Sequence, residues 1–251
     1  MISKSQIKYI KSLHTKKQRV LENCFIAEGV KTVVEIMTEQ PSIIKDIFCS
    51  DDFYKKNEKL ISSKKINATQ VNPKELLQIS QLSAPNEVLA VCNNIPLKKI
   101  ETDLNRAHSF YLDDIRDPGN LGTIIRICSW FGIKDLFCSK ETVELYNPKC
   151  IQASMGAFLR VNVHYIDLNE LIDSEKIKHI FATELKGKSI YSQTLNNGLI
   201  IIGNEANGIR NETLQLANQS ITIPSAAGNT ESLNAAIATS IIASEFFRRG
   251  L

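Results

Sequence analysis

Residues 109–131, SFYLDDIRDPGNLGTIIRICSWF, decide the fold. Phe110, Tyr111 and Leu112 form a short apolar run of the kind found in strands buried on both faces. Pro118 and Gly119 mark a turn, and near Asn120 a helix begins, in which Arg126 is a charged residue amid Ile124, Ile125 and Ile127. A buried strand delivered through a short loop into a helix is the repeating unit of a parallel α/β sheet. Downstream the runs KDLFC (134–138), VNVHYI (161–166), HIFAT (179–183), LIIIG (199–203) and SITIP (220–224) have the same composition, with helical segments between them. One of these, NPKCIQASMGAF (147–158), opens with an Asn cap and a proline at the first helical position. The last, from about Leu233 to Arg248, is apolar on most sides, as expected of a helix buried against another surface.

Upstream of this pattern, residues 24–94 alternate short apolar runs with helical stretches and read as a smaller α/β unit. The expected organisation is a first domain over 1–97, a linker over 98–107 and the parallel-sheet domain over 108–251. The 251 residues can bury a core without covalent staples. With 43% hydrophobic and 23% charged residues, an intrinsically disordered chain is excluded. The six cysteines contain no C-x-x-C pair, which argues for buried thiols. There is no signal-peptide pattern and no apolar run of membrane-spanning length, so a cytoplasmic protein is expected.

The net charge of +3 conceals an asymmetry. Lys4, Lys8, Lys11, Lys16, Lys17 and Arg19 crowd the start of the chain with no acidic residue among them. Lys4, Lys8 and Lys11 share one helix face, a spacing that can track phosphates or simply stay solvated.

The common cofactor motifs are missing. No two glycines have G-x-G spacing, which disfavours a nicotinamide enzyme and a methyltransferase with a glycine-rich first loop. Gly187-Lys188-Ser189 imitates the end of a phosphate loop, but the required earlier glycine falls on Ala182, so a turn is the better reading. His14, His108, His164 and His179 have no metal-ligand spacing, so no metal is expected.

Three loops carry information. DDIRDPGN (113–120) joins a strand to a helix that Asn120 can cap, with Arg126 farther along it. GNEANGIRNE (203–212) follows a buried strand and offers exposed backbone N–H groups. IPSAAGNTESLN (223–234) opens the last helix, with Ser232 and Asn234 at its entrance, where capping accounts for one of them.

In this order, at the ends of successive strands, the loops resemble the signature of the SpoU/TrmH family of RNA ribose 2'-O-methyltransferases, within the SPOUT superfamily. The first motif matches Asp117, Pro118, Asn120, Gly122 and Arg126. The second, G-x-E-x-x-G, matches Gly203, Glu205 and Gly208, and the third matches Ile223, Pro224, Ser232, Leu233 and Asn234. The similarity runs from about Phe110 to Phe247. The front half, with FIAEGVKTVVE and APNEVLAV, resembles the substrate-binding domain related to ribosomal protein L30e.

The resemblance implies a parallel-sheet catalytic domain with a C-terminal trefoil knot, and S-adenosylmethionine bound around Thr183, Glu184, Gly203, Ile223 and Leu233. It implies catalytic roles for Asn120, Arg126, Glu205, Ser232 and Asn234, and a homodimer with its sites at the two-fold interface. The family often assigns the base to the residue at Arg126, but a guanidinium does not readily lose its proton. Gripping a phosphate and polarising the ribose hydroxyl suits it better. The expected substrate is structured RNA, ribosomal RNA ahead of transfer RNA. An RNA-binding protein of the same fold without catalysis is the alternative, and it would be expected to lose the polar motif residues, all of which are present.

Overall fold

The computed structural model describes residues 2–192, 195–226 and 232–249. The chain divides into two compact units, Met1–Pro96 with Tyr146–Leu159, and Leu97–Leu145 with Arg160–Leu251.

The first unit begins with α1 (Lys4–Ser12) and α2 (Lys16–Glu22). A capping box between Ser3 and Gln6 starts α1. β1 (Cys24–Glu28), α3 (Val30–Glu39), β2 (Ile44–Cys49), α4 (Asp51–Ser63), β3 (Ala68–Gln70), α5 (Pro73–Ile79) and β4 (Val88–Asn93) follow. The sheet order is β1-β4-β2-β3, with β4 antiparallel to both neighbours and β2 parallel to β3. Cys24 and Ile26 of β1 face a core with Ile10, Leu13, Phe48, Leu76 and Leu89. Phe25, on the opposite face, stacks on Tyr146 at 4.7 Å and meets Phe158 edge-on at 5.7 Å. The helix Pro148–Ser154, which the sequence places in the parallel-sheet domain, therefore belongs to this unit: it covers the second face of β1. Its Asn147 cap and first-turn Pro148 are as expected.

The second unit is a fully parallel sheet. β5 (Ser109–Leu112), α6 (Pro118–Trp130) and β6 (Asp135–Cys138) come first; α7 is the Pro148–Ser154 helix already described. β7 (Asn162–Tyr165), α8 (Leu168–Glu175), β8 (Ile180–Ser189), β9 (Leu199–Ile202), α9 (Asn211–Leu214), β10 (Gln219–Thr222) and α10 (Ala235–Arg249) complete it. The order is β10-β8-β9-β5-β6-β7. Every residue of β5, β6 and β9 is buried, as an α/β sheet covered on both faces requires. Residues 98–107 are more than a linker. Leu104 packs in this unit's core, and the Glu101 and Thr102 N–H groups donate to the carboxylate of Asp135.

Asp135 is fully buried and also accepts from His164 Nε2 at 2.7 Å, Thr102 Oγ1 at 2.6 Å and Asn162 Nδ2 at 3.2 Å. Burial pushes its carboxyl up, but these bonds together outweigh it and hold the group down at about 2. The Gly187-Lys188-Ser189 segment is strand rather than turn. It lies in β8, where the backbone of Ile221 leaves no room for a Cβ on Gly187. All six cysteines are buried, and none forms a disulfide. Among the described residues no helix is long and apolar enough to cross a membrane, and no cluster of His, Cys, Asp or Glu could hold a metal ion.

Candidate active site

The C-terminal ends of β5, β9, β8 and β10 are consecutive in the sheet, and loops leaving such ends form the ligand crevice of open α/β folds. The first loop leaves β5 at Asp113. Asp114 takes a left-handed conformation (φ +57°), and its N–H donates to Ser139 Oγ at 3.1 Å. Asp117, not Asn120, caps α6, accepting the Asn120 N–H at 2.9 Å. The Asn120 side chain is thereby released from capping and reaches two other loops.

Its amide nitrogen donates to Glu205 Oε1, and its amide oxygen accepts from Asn234 Nδ2 at 2.9 Å. Asn234 Oδ1 in turn accepts the Ala236 and Ile237 N–H groups at 2.9 and 3.2 Å, so Asn234 caps α10 as well. Residues 85 and 114 positions from Asn120 are joined in one chain of hydrogen bonds, running from the α10 N-terminus to a carboxylate. Each amide is fixed at both ends, so neither can flip without losing a partner. Glu205 is half-buried, and its Oε2 has no partner among the described residues.

The second loop is shaped by residues that sequence reasoning missed. Asn204 Nδ2 donates to the Asp114 carbonyl at 2.7 Å, and its Oδ1 accepts from the Ala206 and Asn207 N–H groups at 2.9 and 3.2 Å. This Asx-type turn faces Glu205 towards Asn120. A Cβ on Gly203 would come within 2.4 Å of the Gly208 backbone, and Gly208 has φ +69°, so both motif glycines are required by the turn. Arg210 closes the loop. Its Nε and Nη2 meet Asp113 Oδ1 at 2.8 and 2.6 Å, and its N–H donates to Asp113 Oδ2 at 2.8 Å. Asp113 is fully buried, and Arg210 also reaches Glu141 and Glu212. The hydrogen bonds to Asp113 hold the guanidinium pKa above its ordinary value. An acid ending a buried strand was the visible clue to Asp113; nothing local paired it with an arginine 97 positions on.

The remaining expected residues are placed as follows. Arg126 lies on the exposed face of α6 with Trp130, without a side-chain partner among the described residues, and so stands apart from the Asn120 chain. Ser232 and Leu233 are exposed just ahead of α10. Residues 227–231 of the third motif lie outside the described residues. Thr183 donates to the Ile201 carbonyl at 2.8 Å and Glu184 accepts from Ser220 Oγ, so these two side chains tie β8 to β9 and to β10. Between Ala182 and Lys188, β8 leaves its ladder with β10 for five residues, Thr183 and Glu184 among them. Gly203 and Ile223 follow β9 and β10 directly, at ends that flank β8.

In the first unit Lys4, Lys8, Lys11, Lys16 and Lys17 are exposed. Arg19 is not part of that surface, contrary to expectation. It is 3% exposed, and its Nη1 donates to the Leu13 carbonyl at 2.8 Å, fastening the end of α1 to α2.

Comparison with known proteins agrees with this geometry. Residues 107–244 match the model of the SpoU rRNA Methylase family, and residues 4–90 match the MRM3-like substrate binding domain. The chain is 27% identical over 241 residues to RlmP of Bacillus subtilis, named as a 23S rRNA (guanosine(2553)-2'-O)-methyltransferase, covering 94% of each protein. An AdoMet-bound rRNA methyltransferase from Sinorhizobium meliloti is 27% identical and superposes with a TM-score of 0.84, over 100% of this chain and 97% of that one. AviRb from Streptomyces viridochromogenes, at 21% identity and a TM-score of 0.85, shares the fold over 98% of each chain. With its motif residues at the ends of adjacent parallel strands and its family match over more than half its length, the chain belongs to the SpoU rRNA Methylase family.

Proposed function

We propose that this protein methylates the 2'-hydroxyl of a ribose in ribosomal RNA, with S-adenosylmethionine as methyl donor. The observation that carries the reading is the hydrogen-bonded chain from α10 through Asn234 and Asn120 to Glu205. Supporting it are the similarity to RlmP and to the AdoMet-bound S. meliloti protein.

The residues fit such a donor. Gly203 and Ile223 lie at the ends of strands on either side of β8, and Leu233 adds an exposed apolar side chain. Backbone around Gly203, Ile223 and Leu233, with Thr183 and Glu184 behind it, would hold the molecule, which supplies an electrophilic methyl on its sulfonium. The hydroxyl must lose its proton as its oxygen takes the methyl, and the two reacting atoms must be held at about 3 Å. Glu205 Oε2 is an open acceptor for a ribose hydroxyl, in an orientation set by Asn120. Arg126 holds the adjacent phosphate and polarises the hydroxyl, and Ser232 orients the ribose.

The working form is a homodimer. Its support is an apolar surface on two packed helices: Trp130 of α6 is 84% exposed, and Ile237 and Phe247 of α10 are 53% and 46% exposed. Arg126 shares the Trp130 face, so pairing there brings it to the two-fold interface. The second unit carries the C-terminal trefoil knot that its motif order implies. Its support is that β10 lies beside β8 at the edge of the sheet while α10 packs on α6. The protein works in the cytoplasm, and the first unit binds the RNA through its exposed lysines.

The test is transfer of label from S-adenosylmethionine to total RNA of a strain lacking the protein, with Asn120→Ala and Arg126→Ala as controls. Label in 2'-O-methyl nucleosides of ribosomal RNA, lost in both variants, is expected. Absence of both transfer and cofactor binding would leave an RNA-binding protein of this fold.

A further inference from the structure

The turn after β6, residues 139–143, belongs to none of the three motif loops, yet it holds the first of them in shape. The Thr142 N–H donates to the Ser139 carbonyl at 3.1 Å, which closes the turn and brings the two hydroxyl oxygens to 3.3 Å. Both residues are buried. Thr142 Oγ1 donates to the Leu112 carbonyl at 3.0 Å, which uses its single proton, so the proton between the two hydroxyls comes from Ser139. Their remaining lone pairs take up the N–H groups of the chain as it leaves β5. Ser139 Oγ accepts from Asp114 at 3.1 Å, and Thr142 Oγ1 accepts from Ile115 at 3.3 Å. The Val143 N–H donates to the Ile115 carbonyl at 2.8 Å.

These bonds meet at Asp114, whose left-handed conformation (φ +57°) persists only where its surroundings hold it. Ser139 holds its N–H, and its carbonyl accepts from Asn204 Nδ2 at 2.7 Å. Asn204 is buried, and its Oδ1 shapes the turn that carries Glu205, whose Oε1 takes the Asn120 amide. The direction of the Asp114 carbonyl therefore sets where Glu205 Oε2 stands.

We propose that Thr142, acting through Ser139 and the Asp114 carbonyl, is a positioning residue for Glu205. Three hydrogen bonds link it to Asn204, the neighbour of Glu205 in sequence. Glu205 is the acceptor for the ribose hydroxyl in the reaction proposed above, and the assignment rests on that reading. A misplacement of about 1 Å, caused far from the chemistry, costs about 10² in rate.

The test compares the full-length protein with Thr142→Val, which keeps the shape and removes the hydroxyl, and with Thr142→Ser, which keeps the hydroxyl. Assays use RNA of a strain lacking the protein, at a temperature below the melting point of every variant. Thr142→Val is expected to lower kcat by about tenfold to a hundredfold with the KM for S-adenosylmethionine unchanged, and Thr142→Ser to recover most of that loss. In NMR spectra recorded without substrate, the side-chain amide signals of Asn204 and Asn120 should move in Thr142→Val and return in Thr142→Ser. Leu171→Ala, in the core of the same unit, lowers the melting temperature and should leave kcat and these signals at wild-type values. Ser139→Ala strands the Asp114 N–H and should repeat the Thr142→Val result, which keeps the test decisive where Thr142→Val does not fold. Wild-type kcat in the variants lacking either hydroxyl would overturn the proposal, as would an equal loss in Leu171→Ala. If the wild type transfers no methyl group to any RNA, the proposed reaction falls and the amide signals decide alone: unmoved signals overturn the positioning role, and signals displaced in Thr142→Val and restored in Thr142→Ser sustain it.

Discussion

Asn120 can serve the site because Asp117 does the capping that the sequence allows either residue to do. Its amide is the middle link between Asn234 and Glu205, and removing one positioning donor typically costs about 10²–10³ in rate. Asn120→Ala should therefore lower single-turnover methyl transfer by about that factor with little change in melting temperature, because the group lies near the surface. Arg210 behaves differently. Truncation to Met strands the buried Asp113 carboxylate, which should cost about 3–5 kcal/mol in urea unfolding, and pairing Arg210→Met with Asp113→Leu should recover most of it. Asp135 gives the pH dependence. Its carboxyl is held at about 2 in the folded protein and titrates near 4 when unfolded, so its stabilisation is full above about pH 4 and lost as the pH falls towards 2. Acid unfolding followed by circular dichroism should show this limb, flattened in Asp135→Asn. Asn120, Glu205 and Asn234 were legible as candidates from motif order, but their mutual bonding was not. Asp113, Asn204 and Arg210 were passed over because their meaning lies in partners distant in sequence.

At the scale of elements, strand composition was a good guide. The fully buried runs at 109–112, 135–138 and 199–202 are the strands next to one another at the middle of the second sheet. Caps were readable where one polar residue stood before a helix, as at Asn147, and misread where two competed, as at Asp117 and Asn120. β8 was read as ending in a turn because Gly187 looked like punctuation, whereas that glycine admits the backbone of Ile221. The last helix was expected to be covered on most sides, and in one copy of the chain Ile237 and Phe247 remain exposed beside Trp130 of α6. Apolar surface of this kind costs roughly 25 cal/mol per Å² to leave in water. Trp130→Glu combined with Ile237→Glu should convert the proposed dimer to monomer by light scattering and depress methyl transfer, while the circular dichroism spectrum stays that of the wild type. Unchanged mass would remove this surface from the interface.

At the scale of the molecule, the two units differ in charge use. The exposed lysines of α1 and α2 sit on the first, and the bonded site residues on the second. Each lysine that neutralises an RNA phosphate contributes about 0.7–0.9 to the slope of log K against log salt. Lys4→Ala, Lys8→Ala and Lys11→Ala together should reduce that slope by about 2, and an unchanged slope would show a face that is merely solvated. What the sequence by itself determined is local: the composition of strands, the order of three loops, the class of sheet and the family resemblance. These depend on side-chain periodicity and on short spacings that a linear reading preserves. Only the tertiary structure decided that Arg19 is buried, that Tyr146–Leu159 packs with the first unit against Phe25, and that Asn234, Asn120 and Glu205 form one chain. Arg19 is buried because α2 folds back on the end of α1 and brings it to the Leu13 carbonyl; the other two depend on partners brought near by the packing of whole elements, and contacts of a few ångströms leave no trace in the spacing of residues more than 80 positions apart.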